Sequence, residues 1–417
     1  MSKEIKKLII DEFKKIQKKF NDEYPGEIIT RNYYTTNSKY GYKYASHFKT
    51  FGELKELSSG KDEKTLDNDK KIFILNKEIN NLKSEKNKLL EKTILEDQVL
   101  TKFEECINDI SFDSLKIDNS IDETIFLEKK AMFNISDWHV GEVVNKDEML
   151  SINEYNKEIF IERMDLVFSR LIAYCKKIDV KDIIINSLGD ILCGMIQEDN
   201  EKTQDLDIIE SLFFCQEYIV RKLIELSKHF NKIKINFLIG NHGRIVNVGS
   251  KKPFFKKKAQ LNWEYVLGKN IQTIFNLIEN TKITINVPKS AFIIEEVNGT
   301  KFLLLHGDIM SGAGSGGFAG IPLYSLASSS AKFYGVLSHI GLEPDQHPFK
   351  HIIMGHYHTS SQIPIFNGGK LWINGCICGE TEFSLMKIKS KAMIEQLLLL
   401  IDDDGKIDGE INIRGLK

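Results

Sequence analysis

Lys234-Ile-Asn-Phe-Leu-Ile-Gly-Asn-His-Gly-Arg244 is the stretch on which the reading of this chain turns. A short apolar run stops at Gly240 and gives way to the polar group Asn241-His242-Gly243-Arg244. Such a run, bounded by glycine, reads as a buried strand. In α/β domains the carboxyl ends of buried strands are where ligands are held. Four more apolar strands end the same way. AMFNIS (131–136) runs into Asp137-Trp138-His139, and IIINSL (183–188) into Gly189-Asp190. FLLL (302–305) runs into His306-Gly307-Asp308, and HIIM (351–354) into Gly355-His356-Tyr357-His358.

Each motif is weak alone, since an Asp-x-His triplet arises by chance about once in a chain of this length. Their conjunction carries the weight: five strand ends, all supplying metal-ligand residue types. Imidazole nitrogens mixed with carboxylate and amide oxygens suit manganese, iron or zinc, and no thiolate belongs to the set.

The order D-x-H, GD, GNH, H, GHxH resembles the calcineurin-like metallophosphoesterases, over about residues 131–390. The resemblance implies an α/β fold: a β-sandwich flanked by helices, with a dinuclear metal site at its strand ends. It implies that Asp137, His139 and His358 hold one metal, that Asn241, His306 and His356 hold the other, and that Asp190 bridges them. His242 is implied to lie over the substrate phosphate as general acid or charge stabiliser, and the cofactor to be two divalent ions, manganese before iron or zinc. Ile191-Leu192-Cys193 after Asp190, and Gly243-Arg244 after His242, depart from the phosphoprotein phosphatase branch. GNHGR, a downstream KKP and Gly317-x-Ala-Gly-Ile-Pro322 are similar to phage-encoded members related to the double-strand-break repair nucleases.

Outward from these motifs, strands alternate with amphipathic helices expected near 154–177, 205–230 and 260–278. Past Lys282 the strands crowd together as KITINV, AFIIEEV, KFLLLH, HIIMG, KLWING and EFSLMKI, with one helix near 321–337. The catalytic domain is placed at 128–417. Before it, residues 1–60 form a small helical, basic and aromatic module, and 61–127 a linker with a helical segment. Apolar residues at 72, 75, 79, 82 and 89 make a coiled-coil-like seam, a candidate for homodimerisation or for an intrachain hairpin. The stretch 30–57 resembles small helical DNA-binding repeats found beside mobile-element nucleases.

Composition limits what remains. The 417 residues are 42% hydrophobic and 28% charged with a formal net charge of -2, so any basic surface is local. No apolar run suffices for a membrane span, and the N-terminus lacks the apolar core of a signal peptide. The expectation is a cytoplasmic protein whose six cysteines are reduced and mostly buried, with Cys376-x-Cys378 lacking the second pair of a zinc site.

Arg244 could grip a phosphate bidentately or serve a structural ion pair. Lys251, Lys252, Lys256, Lys257 and Lys258, with two phenylalanines among them, could track a nucleic-acid backbone or form a solvated loop. Ser311–Gly317 could wrap substrate but lacks a P-loop lysine. His47, His229, His339, His347 and His351 read as surface or core histidines, and Trp138 as packing. The expected activity is hydrolysis of phosphodiester bonds with DNA as partner and substrate. A small-molecule phosphodiesterase or phosphatase, or a non-catalytic scaffold, are the alternatives.

Overall fold

The computed structural model describes residues 129–416 apart from 197–201, 246–254, 311–319, 340–346 and 389–390, and before them only 81, 83–86, 117 and 119–120. The chain forms two compact units, Met1–Leu95 and Glu96–Lys417. In the first, Asn81 and residues 83–86 are helical. The rest of the 72–89 seam and the aromatic–basic stretch lie outside the described residues. The second unit carries all five motifs.

Its first sheet runs β11-β10-β1-β2-β3-β4, and its second β5-β6-β7-β9-β8. In the first sheet β1 (Lys130–Ile135), β2 (Asp182–Ser187), β3 (Lys232–Phe237) and β4 (Ile283–Asn286) are parallel, while β10 (Glu395–Ile401) and β11 (Ile407–Arg414) continue it antiparallel. In the second, β6 (Thr300–Leu305), β7 (His351–Met354) and β9 (Lys370–Ile373) are parallel, edged by β5 (Phe292–Val297) and β8 (Ser361–Pro364). The connections are α1 (Lys157–Lys177), α2 (Ile208–Ser227), α3 (Trp263–Leu277) and α4 (Leu323–Leu337), one at each expected position. Local signals start the helices: Asn156 caps α1, and Asp207 with Glu210 forms a capping box on α2.

The period of two sorts each strand's residues between layers. Phe302, Leu304, Ile353 and Trp372 of the second sheet meet Met132, Ile184, Leu397 and Leu399 of the first in one buried core. The intervening Leu303, Leu305, Ile352 and Met354 pack outward with Leu326 and Leu337 of α4. On the far side of the first sheet Phe133 meets Phe168 of α1, with ring centroids 6.1 Å apart.

A row of amides crosses the inner face of the first sheet. Asn186 donates to Asn134 at 2.9 Å, Asn236 to Asn186 at 3.0 Å and Asn286 to Asn236 at 3.0 Å, each pair in direct register. Asn236 also donates to Glu295 of β5, joining the row to the second sheet. Asn134, Asn186 and Asn236 are fully buried. An unpaired amide there costs about 1–3 kcal/mol, so the row holds only when all its members are present.

Two sequence expectations change. EFSLMKI is not a strand: Ser384–Ile388 is a π-helical turn. Thr381 and Ser384 exchange side-chain and backbone hydrogen bonds that start a helical turn instead of a ladder. Leu397–Ile401, absent from the strands expected above, lies in β10, the antiparallel partner of β1. Among the described residues no helix is long and apolar enough to cross a membrane.

Candidate metal centre

The loops leaving β1, β2, β6, β7 and β9 are stitched to one another through their backbones. Asp137 N–H donates to Gly189 O at 3.1 Å and His139 N–H to Asp190 O at 3.0 Å. Gly355 N–H donates to His306 O at 2.8 Å and Ile377 N–H to Asp137 O at 3.0 Å. Asp137, His139, Asp190, His356 and His358 all take positive φ, between 49° and 77°. That conformation is costly for a side chain with a Cβ, and strain of this kind tends to gather where ligands are held. Gly240 and Gly355 are required by close approach, since a Cβ there would collide with the carboxylates of Asp190 and Asp137.

These loops bring the predicted residues together. His139 Nε2 lies 3.1 Å from His358 Nε2, and His358 Nε2 lies 3.4 Å from Asp137 Oδ1. His306 Nε2 is 2.9 Å from Asp190 Oδ2, 3.1 Å from Asn241 Oδ1 and 3.2 Å from His356 Nδ1. Asp137, His139 and Asp190 form one compact set of ligand atoms, and Asp190, His306 and His356 another, each within 4.8 Å, so Asp190 belongs to both. Donor atoms bound to a cation at about 2.1 Å stand about 3 Å apart along the edge of its coordination shell. The separations here match that edge, and the donor set fits a pair of divalent ions. His306 Nδ1 is 2.9 Å from Leu188 O, a partner for its proton that turns Nε2 toward the cluster.

Charge is arranged to the same end. Burial opposes ionisation of Asp137, yet its hydrogen bond and charge interaction with His358 hold its carboxyl down at about 2. Asp190 is likewise held well below the usual carboxylate range against burial, chiefly by His306. Burial alone would lower His306, but Asp190 lifts it to about 10, and Asp137 lifts His358. Burial pushes His139 well down, and His356 to about 4. Two buried carboxylates stay ionised and draw positive charge between them.

His242 packs edge-on against His139, centroids 4.4 Å apart. Its Nδ1 lies 2.8 Å from Cys193 O and its backbone N–H donates to Asp190 Oδ1 at 2.8 Å. Arg244 is half-buried, its backbone bridged to Asn262. Lys256 and Lys257 are exposed beside Phe255, which is 88% exposed. Lys258 instead forms an ion pair with Asp308, two residues past His306, because it is half-buried where the two loops meet. Lys251, Lys252 and Ser311–Gly317 lie outside the described residues. Trp138 is fully buried against Phe160 and Tyr218. His229, His339 and His347 are exposed, and His351 starts β7.

Several participants escaped the sequence reading. Cys378 Sγ falls in one set with His139 and His358, and Cys193 Sγ in another with His139 and His242, so thiols do border the cluster. The signal was available: β9, like the other strands, ends in ligand-type residues, Cys376 and Cys378. Burial raises Cys378 well above the ordinary thiol value, whereas Cys376, opposed by burial but favoured by Cys378 and His358, falls to about 6. Arg163 of α1 fixes this loop by donating to Ile377 O at 2.7 Å and Cys378 O at 3.0 Å. Glu264, fully buried on α3, accepts from the backbone of both the Asp190 and Asn241 loops. Burial first, then Asp190, lifts its carboxyl to about 7. The sequence shows it only as an acidic residue in a helix's first turn.

No family model matches the chain. A stretch of 116 residues, 28% of the chain, is 25% identical to the SPbeta prophage-derived uncharacterized protein YonJ of Bacillus subtilis, and spans 28% of that protein's length. Among solved structures, wild-type Vps29 complexed with zinc, from Entamoeba histolytica, is similar with a TM-score of 0.29 and 11% identity, covering 68% of this chain and 99% of that one. A predicted phosphoesterase from Streptococcus pneumoniae gives 0.25 and 11%, covering 69% and 99%. The NAD nucleotidase NadN of Haemophilus influenzae gives 0.27 and 11%, covering 68% and 50%.

Proposed function

We propose that this protein is a two-metal phosphoesterase that hydrolyses phosphodiester bonds, with DNA as its substrate. The observation that carries the reading is the convergence of Asp137, His139, Asp190, Asn241, His306, His356 and His358 on two ligand sets that share Asp190. In this reading Asp137, His139 and His358 hold one ion, Asn241, His306 and His356 the other, and Asp190 contributes to both. Manganese suits the donors, with iron or zinc as the other fits. When bound, the ions supply Lewis-acid polarisation of the phosphate and an activated water.

The chain's own residues do the rest. Cys193 O orients the ring of His242, so that its Nε2 is the atom that hands a proton to the departing oxygen. Lys256, Lys257 and the exposed Phe255 offer backbone charge contacts and a stacking face in the loop that leaves the Asn241-His242 motif. One observation favours a second reading, a small-molecule phosphodiesterase: Lys258 is committed to Asp308, which shortens the basic strip.

The test is incubation of the full chain and manganese with labelled single- and double-stranded DNA, RNA and bis-p-nitrophenyl phosphate. DNA cleavage that Asp190→Asn abolishes supports the proposal. Cleavage of the small diester alone moves the assignment to the second reading. No hydrolysis of any of them by metal-loaded protein refutes both.

A further inference from the structure

The loops that carry Asp190 and Asn241 come from different strands, yet one helix terminus grips both. Glu264 is fully buried on α3. Its Oε1 accepts from Ile191 N–H at 2.5 Å and Leu192 N–H at 3.3 Å, and its Oε2 from Gly240 N–H at 2.5 Å. Asn262 completes the grip. Its Oδ1 caps α3 through Glu264 N–H at 2.8 Å, while its Nδ2 donates to Gly240 O at 2.8 Å. Trp263 N–H donates to Gly243 O at 2.7 Å. Gly240 is therefore held through both its N–H and its C=O.

We infer that Glu264, assisted by Asn262, is a positioning residue that sets the spacing between Asp190 and Asn241 and thereby governs retention of the ion these two residues share. The inference rests on the two-metal reading above. Helix capping does not explain Glu264. Asn262 already caps α3, and the Glu264 oxygens go to N–H groups of two other loops instead of its own helix. Nor does stability alone explain it. Burying a carboxylate is costly, and each of its hydrogen bonds is to backbone. What a carboxylate supplies here is acceptor capacity on both oxygens, toward N–H groups one residue past Asp190 and one residue before Asn241. A glutamine would turn an NH2 group against one of those N–H groups and release one loop.

The experiment is manganese binding to full-length wild type and Glu264→Gln, read by titration and by elemental analysis after dialysis, with melting temperatures of the metal-free proteins alongside. The expected result is retention of one ion, a ten- to hundredfold weaker affinity for the second, and recovery of diester hydrolysis at high manganese. A purely structural role predicts a lower melting temperature with both affinities unchanged, and that result overturns the inference while leaving the two-metal reading intact. A wild type that binds no manganese overturns both. If Glu264→Gln does not fold, Asn262→Ser carries the same test, since serine keeps the cap and loses the bond to Gly240 O. Wild-type manganese affinity in that variant counts equally against the inference.

Discussion

Replacing Asp190 by asparagine removes one charge and almost no volume. The side chain is 2% exposed, with Oδ1 accepting from His242 N–H at 2.8 Å and Oδ2 2.9 Å from His306 Nε2. An asparagine oxygen keeps the first of these bonds, so the loop and the fold survive the change. In the two-metal reading the lost charge falls on the metals. Two unit charges 4 Å apart attract by about 4 kcal/mol at an effective dielectric constant near 20. Losing an attraction of that size weakens binding roughly a thousandfold. Because Asp190 belongs to both ligand sets, both ions feel the loss. The assay is elemental analysis after dialysis against a chelator, with circular dichroism to check the fold and bis-p-nitrophenyl phosphate to check turnover. Two ions retained at wild-type affinity by folded Asp190→Asn would refute the reasoning.

His242→Ala is expected to keep both metals and lose most turnover on esters with poor leaving groups, and much less on a nitrophenyl ester that needs little protonation. Equal losses on the two substrates assign His242 to phosphate binding. Lys256→Ser with Lys257→Ser should weaken DNA binding and lower the slope of log affinity against log salt by about 0.7 to 0.9 per lost contact, without changing small-diester hydrolysis. An unaltered slope removes these lysines from the nucleic-acid surface. His351, which burial holds down at about 4, accepts from Lys370 N–H at 3.0 Å through Nδ1 and stacks on Phe302. Its folded value lies below the ordinary 6.5, so its stabilisation is complete above that pH and fades as pH falls from 6.5 toward 4. His351→Gln should flatten the melting temperature over that window, and an unchanged profile counts against it.

The strand ends were legible because two independent signals coincide there: a buried apolar run, then metal-ligand residue types. The helices were legible from their amphipathic pattern. β10 was not, because its run Leu397–Ile401 is apolar at every position and carries no alternation to separate strand from buried helix. EFSLMKI misled for the opposite reason, since local Thr381–Ser384 bonding overrides its strand-like composition. Glu264 was invisible because its role lies in where its oxygens reach, and those targets are about 24 and 73 residues away along the chain. The asparagines of NIS, INS and INF each look like an interruption of a strand until the strands are set side by side.

Set side by side, those asparagines act as a surveyor's datum. A strand displaced by one residue moves about 3.3 Å along its axis and turns its amide to the opposite face. Heights along β1, β2 and β3 are therefore fixed relative to one another. Asp137, Asp190 and Asn241 emerge three, four and five residues above that line. A single residue added between line and ligand shifts one ligand by about the width of a whole coordination edge. The crossovers behind the sheet, measured from no such line, are free to lengthen. Insertions should therefore be tolerated after α1 and α2, whereas the few residues between each asparagine and its ligand hold a fixed count.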